Sequence, residues 1–218
     1  GPLTTSFEEK WSNYIGVKHS TFVNSGSSAN LIMLAALLEG GDLKVGDSVI
    51  IPALSWATDL APVMQLGLNP VLCDCNLDDL SLDLNHLEEL FKGAKTKPKA
   101  VIVVSVLGLS PDMERLLEIC SKWNAVLLED TCESFGTEYK NSKLGSFGLM
   151  STFSTYFGHH LSTIEGGVVC TNDSKYDQLL KSIRSHGWSR DWTEEHRSSI
   201  QAEWGISDFD MMFTFFHP

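Results

Sequence analysis

Four short segments carry side chains whose types and spacing suit chemistry on a bound small molecule. Asn24-Ser25-Gly26-Ser27-Ser28-Ala29-Asn30 joins a β-branched run to an apolar helical run. A glycine permits close approach, hydroxyls can donate, and a helix start presents free N–H groups at its positive dipole end. Gly26, Ser27 and Ser28 therefore suit a cup for a phosphate-like anion; the same residues also suit a plain capped turn. The segment has neither the Lys of a P-loop nor dinucleotide-binding spacing, which argues against nucleotide hydrolysis.

Ser55-Trp56-Ala57-Thr58 places an aromatic just beyond a strand, either as core or as a platform for a flat ring. Glu129-Asp130-Thr131-Cys132-Glu133 ends another strand in carboxylates. Asp130 can pair with a protonated ring nitrogen, or serve as a helix cap or salt-bridge partner. The fourth segment runs from Ser151 to Gly167 and holds Ser154, His159, His160 and Glu165-Gly166-Gly167. Adjacent histidines diverge in a strand or a helix, so no metal site is expected there. An imidazole moves protons near neutral pH, which makes the pair candidate acid–base groups.

The elements that must position these residues alternate strand and helix. Strands are expected at Thr21 to Asn24, Ser48 to Pro52, Pro70 to Cys73, Ala100 to Val106, Ala125 to Asp130, Leu149 to Ser154 and Gly167 to Thr171. Helices are expected from Ala29 to about Leu38, from Ala57 to Leu66, after an Asn85 cap, from Pro111, which opens its helix, and from Ser174 to about Arg184. Thr137 to Leu144 reads as a hairpin around Asn141. Past Asp191 the pattern fades into a Trp- and charge-rich connection. The class is α/β, with about seven strands in a mostly parallel sheet and helices on both faces. In such sheets ligands sit beyond the carboxyl ends of the strands, where all four segments fall.

Composition fits that reading. The 218 residues are 43% hydrophobic and 20% charged, enough for a core and unlike a disordered chain. A net charge of −12 argues against nucleic acid, and no apolar run is long enough to span a membrane. Five cysteines without paired spacing suggest a reducing, cytoplasmic setting.

Taken in order, the phosphate cup, aromatic platform, strand-end Asp and Ser-x4-His before Glu-Gly-Gly resemble the DegT/StrS family of pyridoxal-phosphate sugar aminotransferases. The likeness runs from Phe7 to Pro218 and implies the large domain of the aspartate-aminotransferase fold. It implies that Gly26, Ser27 and Ser28 hold the cofactor phosphate with Ser154, that Trp56 stacks on the pyridine, and that Asp130 pairs with its nitrogen.

The departures matter most. The aminotransferases carry a Lys six residues before the Glu of Glu-Gly-Gly; here that position is His159, and no Lys lies between Lys143 and Lys175. An imidazole cannot form the Schiff base that anchors the cofactor. This change resembles the 3-dehydratase branch of the family, which removes the 3-hydroxyl of nucleotide-linked 4-keto-6-deoxy sugars. One part of that branch uses an iron–sulfur cluster with cysteines after an Arg-x-x-Gly-x-x-Arg-Asp region; residues 191–218 contain no Cys. The Ser185-to-Asp191 block is similar to the cluster-free, GDP-linked group.

The resemblance then implies pyridoxal or pyridoxamine 5'-phosphate as cofactor, L-glutamate as amino donor, a nucleotide sugar as substrate, and His159 as the proton-transfer group, with His160 as the competing candidate. Glu133 replaces a Gln that relatives place against the cofactor's ring hydroxyl. His186 and Arg190 are candidate contacts for substrate or a neighbouring subunit. The resemblance also implies a homodimer with a shared active site. Residues 1–190 would form the cofactor-binding domain, with residues 191–218 leading to a small C-terminal domain beyond this chain. The aromatic end at Phe213 to Pro218 is expected to be a strand entering a loop that reaches the partner's site.

Overall fold

The computed structural model describes residues 1–213. The elements run α1 (Pro2–Ile15), β1 (His19–Val23), α2 (Gly26–Glu39), β2 (Ser48–Pro52), α3 (Ala57–Gln65), β3 (Asn69–Cys73), α4 (Leu84–Gly93), β4 (Ala100–Val104), α5 (Met113–Trp123) and β5 (Val126–Asp130). A small hairpin follows, β6 (Glu138–Tyr139) with β7 (Ser142–Lys143), then β8 (Met150–Ser154), β9 (Gly167–Thr171), α6 (Ser174–Arg184), α7 (Glu194–Trp204) and α8 (Asp208–Phe213).

Seven strands make one sheet in the order β1-β9-β8-β5-β4-β2-β3, and only β9 runs against its neighbours. The mostly parallel sheet expected from the alternating pattern is therefore present. The interior strand β4 is buried at every residue, which is why Ala100-Val101-Ile102-Val103-Val104 reads as an unbroken apolar run. Side chains alternate between faces along each strand. Ala100, Ile102 and Val104 meet α2, α3 and α6 on one face through Met33, Leu37, Val63 and Leu180. Val101 and Val103 meet α4 and α5 on the other through Leu87, Phe91, Leu116 and Ile119. On that second face α1 covers the β8–β9 end, with Trp11 and Ile15 against Phe153, Val168 and Cys170.

Five local expectations need correction. Helix α2 starts at Gly26, not Ala29, because Ser25 Oγ accepts the Ser28 N–H at 3.1 Å and caps the helix early. Helix α4 is capped by Asp83, not Asn85; its carboxylate takes the N–H groups of Asn85 and His86. Helix α5 opens after Asp112, which accepts from Arg115 N, so Pro111 lies just outside it. Strand β4 stops at Val104, and Val106–Gly108 turns as a 3-10 helix through Leu107 at φ 53°. Past Asp191 the chain is helical in α7, which buries none of its residues and so carries no apolar stripe to read. Helix α1 escaped the sequence reading altogether. The expected strand at the aromatic end begins at Phe213, which closes α8, and otherwise lies outside the described residues.

Candidate active site

A pocket of about 670 Å³ opens at the carboxyl ends of β1, β2, β4, β5 and β8, where a parallel sheet exposes its strand ends. Ser25, Gly26, Ser27, Trp56, Asp130, Glu133, Ser154 and His159 all line it. Residues from four separate sequence segments thus meet in one cavity.

One end is built for an anion. Ser25 Oγ holds the Ser28 N–H, and Ser25 O holds that of Ala29 at 3.0 Å. The N–H groups of Gly26 and Ser27 have no acceptor among the described residues, at the positive end of α2. Ser28 does not line the pocket; its N–H and hydroxyl are both turned to Ser25. Ser154, at the end of β8, closes the cup from the other side. A Cβ at Gly26 would lie 2.7 Å from Ser154 Cβ and 3.2 Å from Cys132 Sγ, so only glycine lets α2 and β8 approach this closely. Gly167 has a similar reason: a Cβ there would collide with the Ser25 carbonyl. The antiparallel pairing of Val23 with Gly167 therefore presses the Glu-Gly-Gly segment against the turn that makes the cup.

The other end is acidic and fixed from behind. Asp130 ends β5 and is 5% exposed. Its Oδ1 accepts the Cys132 N–H at 2.9 Å and its Oδ2 the Asn30 Nδ2 at 2.7 Å. Asn30 is in turn set by Thr152, whose hydroxyl donates to its Oδ1 at 2.6 Å. The same Asn30 amide reaches Thr58 O and Asp59 Oδ1, each at 3.3 Å. Pro62 lies inside α3 and lacks the N–H that would otherwise serve Thr58 O, so Asn30 fills that place. Burial, then the neighbouring Asp130, push Asp59 up to about 10. Burial and Asp130 also push Cys132 up, which keeps it a thiol and not a nucleophile.

Trp56 precedes α3, lines the pocket and is 73% exposed, so it is not core. His159 is half-buried in the turn after β8, its N–H donated to Tyr156 O at 3.0 Å, with the two rings 6.0 Å apart edge to face. His160 is exposed and does not line the pocket. Glu133 lines the pocket and accepts the Leu107 N–H on Oε2 at 2.9 Å, which ties down the strained turn after β4.

His186 and Arg190 are not brought to the cavity. Both are exposed, and the Arg190 guanidinium lies 3.6 Å over the Trp188 ring. Conversely, Ser25, Asn30, Asp59 and Tyr156 belong to the site without having been singled out. Asn30 stands four residues after Gly26 and Asp59 three after Trp56, the helical spacings that share a face. That spacing was the available signal.

These residues fit a phosphorylated pyridine. The glycine-lined cup with two free N–H groups suits the phosphate, and the buried carboxylate opposite suits a ring N–H⁺. The fold is that of the pyridoxal-phosphate enzymes with the aminotransferase large domain.

The chain matches the DegT/DnrJ/EryC1/StrS aminotransferase family over residues 1–208, and it belongs to that family. It is 39% identical to GDP-4-keto-6-deoxy-D-mannose 3-dehydratase of Yersinia pseudotuberculosis across the whole chain and 55% of that relative. Among solved structures, it is similar to a variant of GDP-4-keto-6-deoxymannose-3-dehydratase with bound GDP-perosamine. That likeness has a TM-score of 0.88 and 33% identity, covering all of this chain and 56% of the other. It is also similar to the E. coli GDP-4-keto-6-deoxy-D-mannose-3-dehydratase with bound hydrated PLP, at a TM-score of 0.84 and 37% identity over 89% of this chain and 50% of that one. The chain spans about half the length of the relatives it matches.

Proposed function

We propose that this chain carries the cofactor site of a pyridoxal-phosphate-dependent sugar-nucleotide 3-dehydratase. The enzyme would remove the 3-hydroxyl of a GDP-4-keto-6-deoxymannose-type sugar, with L-glutamate as amino donor, in deoxysugar synthesis for O-antigen. The observation that carries this reading is that His159 lines the same pocket as Gly26, Ser27, Ser154 and Asp130, with no Lys among the lining residues.

Pyridoxal or pyridoxamine 5'-phosphate supplies an electron-accepting ring and an amine carrier when bound. Gly26 and Ser27 offer N–H groups to its phosphate and Ser154 a hydroxyl, while Ser28 holds the cap that shapes the cup. Trp56 would offer its ring as a stacking surface, and the Asp130 carboxylate would accept from a protonated ring nitrogen. Glu133 has one oxygen left to accept from the ring hydroxyl, since Leu107 occupies the other. His159 is the group that would hold and move a proton in this pocket, as a base first and then as an acid toward a departing hydroxyl. Its imidazole has no amine to capture the cofactor covalently, so the pocket contacts must do the holding.

The reading extends to the rest of the protein. Residues 1–190 form the cofactor-binding domain and residues 191–218 the connection toward a small domain. Beside the pocket, Trp56, Leu107, Phe157 and Ile164 are all largely exposed apolar side chains, which supports closure by a second protomer and a shared active site. Among the described residues no helix is long and apolar enough to cross a membrane, and five free cysteines support a cytoplasmic setting.

The test is to load the protein with pyridoxal 5'-phosphate, add L-glutamate and GDP-4-keto-6-deoxy-D-mannose, and follow loss of the 3-hydroxyl by mass spectrometry. Binding without turnover in His159→Asn supports the role assigned to the imidazole; unchanged turnover overturns it.

A further inference from the structure

Asp59 stands at the floor of the pocket and has no part in the mechanism above. It is 1% exposed, and its backbone N–H is donated to Trp56 O in the first turn of α3. Its Oδ1 shares the Asn30 amide with Asp130 Oδ2, at 3.3 and 2.7 Å. Its Oδ2 is buried, and among the described residues no N–H or O–H reaches it. Among the described residues, the groups that act on it are Asp130 at the end of β5 and Cys132 and Glu133 just beyond; each is acidic and none of these supplies a counter-charge. Two buried carboxylates served by one amide cannot both stay ionised without a cation. A buried carboxyl oxygen that finds no donor is satisfied if it carries the proton itself.

We infer that Asp59 is a positioning residue: a neutral carboxylic acid that donates its O–H to the Asp130 carboxylate, so that the two acids hold one proton between them and present a single negative charge to the pocket. Asp59 would then complete the set of donors that orients Asp130, together with Asn30 and the Cys132 N–H. The consequence for the cofactor rests on the function proposed above. The ring nitrogen would meet one carboxylate of fixed direction and not a pair of competing acids. Burial and the Asp130 charge hold Asp59 protonated at neutral pH, in line with this arrangement.

The test compares Asp59→Asn and Asp59→Ala in the intact protein. Asn places an N–H where the acid places its O–H and keeps an oxygen for Asn30; Ala removes both. Infrared difference spectra at pH 7 should show a protonated-carboxyl band that disappears in both variants. Affinity for pyridoxal 5'-phosphate, read by equilibrium dialysis, should fall about tenfold or more in Asp59→Ala, as for one lost hydrogen bond to a charged group, and recover in Asp59→Asn. Absence of the band from the parent protein, or equal loss of affinity in the two variants, would overturn the assignment. The infrared measurement needs no cofactor. If pyridoxal phosphate fails to bind the parent protein, the cofactor reading falls while the band alone still decides the shared proton.

Discussion

Asn30 Nδ2 lies 2.7 Å from Asp130 Oδ2, joining the first turns of α2 to the end of β5 across 100 residues of sequence. The bond ties the Gly26 turn to Asp130 as one unit, because α2 carries both Gly26 and Asn30. Removing the amide by Asn30→Leu leaves Asp130 and Thr152 without their common partner. The expected cost is about 1.5–3 kcal/mol, the range for a hydrogen bond to a charged group, together with weaker cofactor binding. Urea denaturation and a cofactor titration measure the two effects separately.

His159→Asn should leave pyridoxal 5'-phosphate bound and slow dehydration about a hundredfold or more, the contribution of a positioned acid–base group. His159→Lys should instead give covalent attachment of the cofactor, made permanent by borohydride and seen as added protein mass. The parent protein should show no such attachment. His160→Asn should change neither result, since His160 is outside the pocket lining.

Gly26→Ala should weaken the cofactor before it harms the fold. The new methyl would stand 2.7 Å from Ser154 Cβ, a backbone-anchored atom with little room to yield. Overpacking of this kind costs about 1–3 kcal/mol, here borne by the contact between α2 and β8 that forms the cup. Cofactor titration against free phosphate and against pyridoxal 5'-phosphate reads the loss.

Glu129 accepts three backbone N–H groups, from Gly145 at 2.7 Å, Phe147 at 2.8 Å and Gly148 at 2.6 Å. Burial pushes its carboxyl up, and the three donors pull the other way. Glu129→Gln turns an amide N–H toward at least one of these donors and should cost about 1–3 kcal/mol of stability. Chemical denaturation checks it, and cofactor binding at saturation should persist.

Stability should also depend on pH through Asp59. Its folded value, raised to about 10 from an ordinary 3.8, means the folded chain keeps a proton that the unfolded chain gives up. That contribution is fully present below about pH 4 and is lost as pH rises toward 10. Thermal melts of the parent protein should therefore fall over that interval more steeply than those of Asp59→Asn. Parallel curves would contradict the sign.

The sequence announced the strands and the strand-end chemistry because both rest on local signals. The β-branched run at Ala100 to Val104 and the acid at Asp130 are legible without a partner. The helix starts were misplaced by two to three residues, since Ser25, Asp83 and Asp112 compete with neighbours that also cap well. Asn30 and Asp59 were missed because their roles exist only across elements: nothing near Asn30 in sequence reveals that Asp130 stands 2.7 Å away. His186 and Arg190 were read from a block likeness, and the fold keeps them on the surface. Helix α7 is capped by Thr193 and closed by Gly205, but with no buried face its apolar pattern is silent.

The most direct measurement mixes the protein with pyridoxal 5'-phosphate, L-glutamate and GDP-4-keto-6-deoxy-D-mannose and analyses the sugar, 2-oxoglutarate and ammonia together. The account predicts a keto-sugar one oxygen lighter than the substrate, with one 2-oxoglutarate and one ammonia released per sugar. An amino-sugar that keeps its 3-hydroxyl, with no free ammonia, would contradict it.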